Sequence, residues 1–180
     1  MAQYKQFAPN VEVNGESVLA TVDAFPDFIK RIALQILAKN GIMNPMPGKW
    51  YNQQALLDSL KEIDGRYGSN TLFEIGKAIP SNAIFPSEIN TIEMALDSIN
   101  IAYHMNHRFG EIGFYKIVFH DKTSKIFTMH CNNPYPCDFD RGIITSMASK
   151  FSPQVEVMLD ITKPSRKKGA DDSYYIVTYN

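Results

Sequence analysis

The stretch His130-Cys131-Asn132-Asn133-Pro134-Tyr135-Pro136-Cys137-Asp138-Phe139-Asp140-Arg141-Gly142 joins a run of alternating period to a run of helical period, and its reading decides the fold. Pro134 and Pro136 fix φ and remove backbone donors, so the connection can hold a defined shape without ladder hydrogen bonds. Upstream, Gly113-Phe114-Tyr115-Lys116-Ile117-Val118-Phe119-His120 reads as a strand and Asp121-Lys122-Thr123-Ser124 as its turn. Lys125-Ile126-Phe127-Thr128-Met129-His130-Cys131 is the antiparallel return. Downstream, Asp138 is placed to cap a helix through Ile143, Ile144, Met147, Ala148 and Phe151. Gln154–Ile161 and Ser173–Tyr179 read as two further strands, which completes a strand-strand-helix-strand-strand order.

Towards the amino terminus the period turns helical. Val11-Glu12-Val13-Asn14-Gly15-Glu16-Ser17-Val18 sets Asn-Gly between apolar residues and predicts a short hairpin. A helix is predicted from about Phe25, with Asp23 as its cap. Phe28, Ile29, Ile32, Ala33, Ile36 and Leu37 repeat along it until Gly41. Asn52 caps the next, whose apolar set is Leu56, Leu57, Leu60, Ile63 and Tyr67, stopped by Gly68. A shorter helix carries Leu72, Phe73, Ile75, Gly76 and Ile79 before Pro80, and a last one opens at Pro86-Ser87 and runs towards Tyr103. Helices segregated from an antiparallel sheet define an α+β fold. At 180 residues one domain is expected, mainly helical over 1–100 and ββαββ over 101–180.

A net charge of −1 and a pI near 6.4 argue against capture of nucleic acid. The one dense basic run, Lys163-Pro164-Ser165-Arg166-Lys167-Lys168, reads as a solvated loop. No apolar run is long enough for a membrane span, and Met1-Ala2-Gln3-Tyr4-Lys5-Gln6 lacks the apolar core of a secretory signal. Two cysteines make no disulfide framework. The expectation is a cytoplasmic chain with reduced thiols.

From about Tyr103 to its end the chain carries Gly110-Glu111-Ile112-Gly113-Phe114-Tyr115, then Asn133 to Ile143, then Asp171-Asp172-Ser173-Tyr174-Tyr175-Ile176-Val177, in that order. This portion resembles the superfamily of 4-vinyl-reductase-type domains, heme–nitric-oxide-binding domains and the small subunits of the TRAPP tethering complex. The resemblance implies helices and a four-stranded sheet around an apolar pocket that holds heme, an acyl chain or another small hydrophobic molecule. It also implies a sensing or assembling role and pairing as a homodimer. Two departures stand out. Ser165 and Tyr174 lie around the final hairpin, where many 4-vinyl-reductase-type domains carry cysteines. The Tyr-x-Ser-x-Arg segment with which the heme branch reads propionates is absent, and His104, His107, His120 and His130 all lie at or after the last long helix. The resemblance so read argues against heme.

Antiparallel pairing should bring the Pro134-Tyr135-Pro136 loop beside the start of the first strand of the sheet. Tyr103, His107, Arg108, Phe114, Tyr135 and Arg141 are therefore the expected ligand-binding set, aromatic rings with a few polar groups. Cys131, Cys137 and His130 are the candidate ligands of a zinc ion, against the reading in which both thiols are buried small hydrophobes. Cys137 precedes a helix, whose dipole favours a thiolate nucleophile, while Asp138 and Asp140 oppose it. The function expected is a non-catalytic module that binds a small hydrophobic ligand. The alternatives are a tetrapyrrole- or thiol-dependent enzyme and a scaffolding subunit.

Overall fold

The computed structural model describes residues 3–180; residues 1 and 2 of the amino-terminal segment and the side chain of Phe28 lie outside the described residues. Strand β1 (Glu12–Asn14) runs directly into helix α1 (Gly15–Asp23). The Asn-Gly pair is thus a helix start and not a hairpin turn: Asn14 Oδ1 accepts the Ser17 N–H at 3.0 Å as an N-cap. Gly15 suits this position because a Cβ there would overlap the Met46 carbonyl. Helix α2 (Asp27–Lys39) and strand β2 (Trp50–Asn52) follow. Asn52 then caps α3 (Gln53–Tyr67) by accepting from Ala55 N–H at 3.1 Å.

Helix α4 (Ser69–Asn82) runs through Pro80, whose missing donor falls in the last turn. Helix α5 (Ile92–Met105) begins later than Pro86-Ser87 suggests, because Thr91 Oγ1 accepts from Met94 N–H and sets the cap. Strand β3 (His107–Arg108) pairs with β1, as does β2, in a three-stranded sheet of order β2-β1-β3. Its strands have two or three residues, too few for alternation to show in the sequence.

The carboxy-terminal half is the expected ββαββ unit. Strands β4 (Phe114–Asp121) and β5 (Ile126–Asn132), helix α6 (Cys137–Ser149), and strands β6 (Glu156–Leu159) and β7 (Ser173–Thr178) form an antiparallel sheet of order β4-β5-β7-β6. One face buries Tyr115, Phe127, Met129, Cys131, Tyr175 and Val177 in the apolar core. Helices α4 and α6 cross with their backbones in contact: a Cβ on Gly76 would overlap the Phe139 carbonyl, and one on Gly142 the Phe73 carbonyl. The architecture is α+β. Among the described residues no helix is long and apolar enough to cross a membrane.

Candidate functional site

Helix α5, strand β4 and the loop into α6 converge on one apolar cavity. Leu56 of α3, Ile79 of α4, Ile99 and Ala102 of α5, and Phe139 and Ile143 of α6 form its walls, with Ala83 and Phe85 from the segment after α4. Tyr103, Tyr115, Tyr135, His107, Asn106 and Ser17 complete the lining. Counted out through its mouth the space is about 450 Å³, of which about 40 Å³ admits water-sized molecules.

His107 is the one imidazole on this wall. Its Nδ1 lies 2.8 Å from the Tyr103 carbonyl, which can only accept, so Nδ1 carries the proton. Nε2 is then the bare nitrogen, and the Tyr135 hydroxyl donates to it at 2.7 Å. Burial pushes the imidazole down to about 4, with His104 nearby adding to the shift and the Tyr103 carbonyl opposing it. Tyr103 packs its ring 4.5 Å from that of His107 and donates its hydroxyl to the Ile112 carbonyl at 2.6 Å. Burial raises the Tyr103, Tyr115 and Tyr135 hydroxyls, so all three stay protonated. Asn106 staples the end of α5: its amide donates to the Ala102 and Ile84 carbonyls, both at 2.7 Å, and its Oδ1 accepts from Asn14 and from Ile84 N–H.

Behind the cavity lies a buried ion pair. Arg166, only 2% exposed, pairs with the fully buried Asp140. It also donates to the Tyr135 carbonyl at 2.8 Å and to Asn133. Tyr115 donates to Asp140 at 2.6 Å and Asn133 at 3.2 Å. Burial raises the carboxyl and Arg166, Tyr115 and Asn133 counter it. Burial alone would lower the guanidinium, but Asp140 beside it holds it well above its usual value. The basic run is therefore no simple solvated loop, since Arg166 enters the core while Lys167 and Lys168 stay outside.

Of the expected ligand-binding set, Tyr103, His107 and Tyr135 meet on the cavity. Arg108, Phe114 and Arg141 do not. Arg108 follows His107 along β3 and so points the other way, lying 2.6 Å from Glu12 and over the Trp50 ring. Phe114 sits 5.0 Å from the His130 ring, and the next residue, Tyr115, takes the inner face. Arg141 lies over the Phe73 ring and 3.4 Å from Asp138. Asn106, Tyr115 and Arg166 were missed. Phe114 and Tyr115 stand equal in the sequence as aromatics at the start of the strand, and nothing there marks Asn106 or Arg166 for the cavity.

The expected zinc set comes apart for the same reason. His130 and Cys131 are neighbours on a strand, so they point to opposite faces. His130 stacks on Tyr174 at 4.4 Å and faces Asp172 at 3.0 Å, while Cys131 is buried within the core, its thiol raised by burial and then by Asp140. The Cys137 sulfur contacts Ser173 Oγ at 3.2 Å and is buried, which leaves the thiol-nucleophile reading without an accessible sulfur. Among the described residues no group of three or more His, Cys, Asp or Glu is arranged to hold a metal ion.

Similar solved structures cover nearly the whole chain. An oxygen-binding H-NOX domain related to soluble guanylate cyclases superposes with a TM-score of 0.64 at 13% identity, covering 93% of this chain and 95% of that one. A mutant H-NOX protein from S. oneidensis in the Fe(II) ligation state gives 0.67 at 12% identity, covering 93% and 96%. The fold is that of the H-NOX domains. A third structure, from work on heme distortion in the H-NOX family, gives 0.62 at 13% identity over 93% and 95%. No protein-family model and no curated protein matches the chain.

These neighbours overturn the expectation that argued against heme. That expectation rested on a missing segment and on histidines placed late in the chain, yet neighbours of the same fold are studied for heme potential and distortion. The donor chemistry here fits the group. A neutral imidazole whose Nδ1–H is held by a backbone carbonyl is the usual state of a metal-ligating histidine, and His107 Nε2, on the cavity wall, is held here by the Tyr135 hydroxyl at 2.7 Å.

Proposed function

We propose that this chain is a non-catalytic small-molecule-sensing module whose apolar cavity takes heme, with His107 as the iron ligand. The observation that carries the reading is the neutral His107 imidazole on the wall of an apolar cavity in an H-NOX fold. When bound, heme would supply an iron centre able to take and release a small ligand. The chain's own groups do the rest. The Tyr103 carbonyl orients the imidazole, and Ile79, Phe85, Ile99 and Ile143 exclude water from it.

The enclosed room is far smaller than a tetrapyrrole, so loading requires a wall to move. The segment 83–91, which carries Ala83 and Phe85, has no regular structure between α4 and α5 and is the wall best able to do so. Titration of hemin into purified protein tests the reading by absorbance. One equivalent should bind with a shifted Soret band, and His107→Ala should lose that band. Binding that is absent, or that His107→Ala leaves intact, overturns it.

The homodimer belongs to the same proposal. Met94, Ile101 and Met105 are 44%, 50% and 43% exposed along one face of α5, which supports pairing through that helix. Light scattering that shows only monomer at high concentration overturns this part.

A further inference from the structure

Gln53, the first residue of α3, is fully buried, and neither polar atom of its amide has a hydrogen-bond partner. A buried, unpaired amide is costly, so such a group calls for a partner acquired in another state. Its neighbours identify that partner. The Gln53 side chain lies close enough to the Tyr103 and Tyr135 hydroxyls to favour their ionised forms, without a bond of good geometry to either. The Tyr103 hydroxyl is committed to the Ile112 carbonyl at 2.6 Å. Tyr135 is different, because its partner is His107 Nε2, the nitrogen an iron ion would take.

The Tyr135 backbone is anchored on both sides. Its N–H donates to Asn133 Oδ1 at 2.9 Å, and its carbonyl accepts from Arg166 at 2.8 Å. Phe139 stacks on its ring at 5.0 Å. With the backbone anchored at both ends, a change of partner at the hydroxyl falls to the side chain.

We infer that Tyr135 is a two-position latch, its hydroxyl covering His107 Nε2 in the free protein and passing to the Gln53 amide when a ligand takes that nitrogen. This rests on the heme reading above. Tyr135 and Gln53 are positioning residues, since they act through His107. The latch keeps His107 Nε2 saturated while the cavity is closed.

A thermodynamic cycle with hemin as the probe tests the latch. Gln53→Met keeps the bulk and removes the amide, so hemin should bind about tenfold more weakly, the factor equivalent to one hydrogen bond. In a Tyr135→Phe background the same substitution should change affinity by no more than about twofold, because the coupling needs both groups. Gln53→Met should also raise the melting temperature of the free protein by removing the unpaired amide, which confirms that the variant folds. Gln53→Leu provides a second variant with the same expectations. His107-dependent binding with equal Gln53 effects in both backgrounds, or with none, overturns the latch and leaves the heme reading standing. Binding that His107→Ala does not disturb overturns both.

Discussion

At the residue scale, His107 and Arg166 carry the sharpest expectations. His107 is neutral in the folded chain, with its ionisation pushed down to about 4 by burial, whereas an unfolded histidine titrates near 6.5. Between those values the unfolded chain binds the extra proton, so stability falls as pH drops through this window. The loss totals about 3 kcal/mol by the time pH reaches the lower value. Urea midpoints measured across this range should decline for the wild type and decline less for His107→Gln; equal slopes contradict the assignment. Arg166→Met would strand Asp140 as an unpaired buried charge and should cost about 3–5 kcal/mol. Denaturant unfolding reads this directly, and a cost under about 1 kcal/mol would show that the pair is not what anchors the Tyr135 loop.

At the scale of elements, the crossing of α4 and α6 sets the far wall of the cavity. The helices approach closely because Gly76 and Gly142 oppose each other's backbones, which also places Phe139 and Ile143 against the free space. Gly142→Ala cannot be absorbed by a side chain giving way, since its neighbours are the Phe73 carbonyl and the Lys77 nitrogen. It should destabilise by at least about 1–3 kcal/mol, and hemin affinity should change as the wall shifts. A melting temperature equal to the wild type would mean the helices separate freely. At the other end, Asn14→Ala removes the cap of α1 and a bond to Asn106, which closes α5 beside His107. About 1 kcal/mol is expected from the cap alone.

At the scale of the whole molecule, a ligand that enters only the folded cavity stabilises by mass action. At a free concentration of one hundred times the dissociation constant the gain is about 2.7 kcal/mol. For a chain of 180 residues that is a rise of roughly 5–10 °C in melting temperature. Thermal scans with and without hemin should show it, and His107→Ala should abolish most of it. A rise unaffected by that substitution would place the ligand elsewhere.

What the sequence by itself determined is the regular half of this protein and its apolar interior. Strands β4, β5 and β7 and helix α6 were legible because their side chains repeat at periods of two and 3.6 over six or more residues. The proximity of Tyr135 to His107 followed from antiparallel pairing, and the two lie 2.7 Å apart. Only tertiary structure decided the rest. The Asn14-Gly15 pair has the same local chemistry in a turn and at a helix start, and contact with Met46, Lys49 and Asn106 selects the helix. Likewise Phe114 and Tyr115 are both aromatic, and which of them faces the cavity depends on a strand register that composition does not carry. Arg166 sits in a run of surface cations and turns inward because the carboxylate of Asp140, twenty-six residues away along the chain, lies fully buried there. A buried charge is defined by its partner, and partners distant in sequence meet only in the fold.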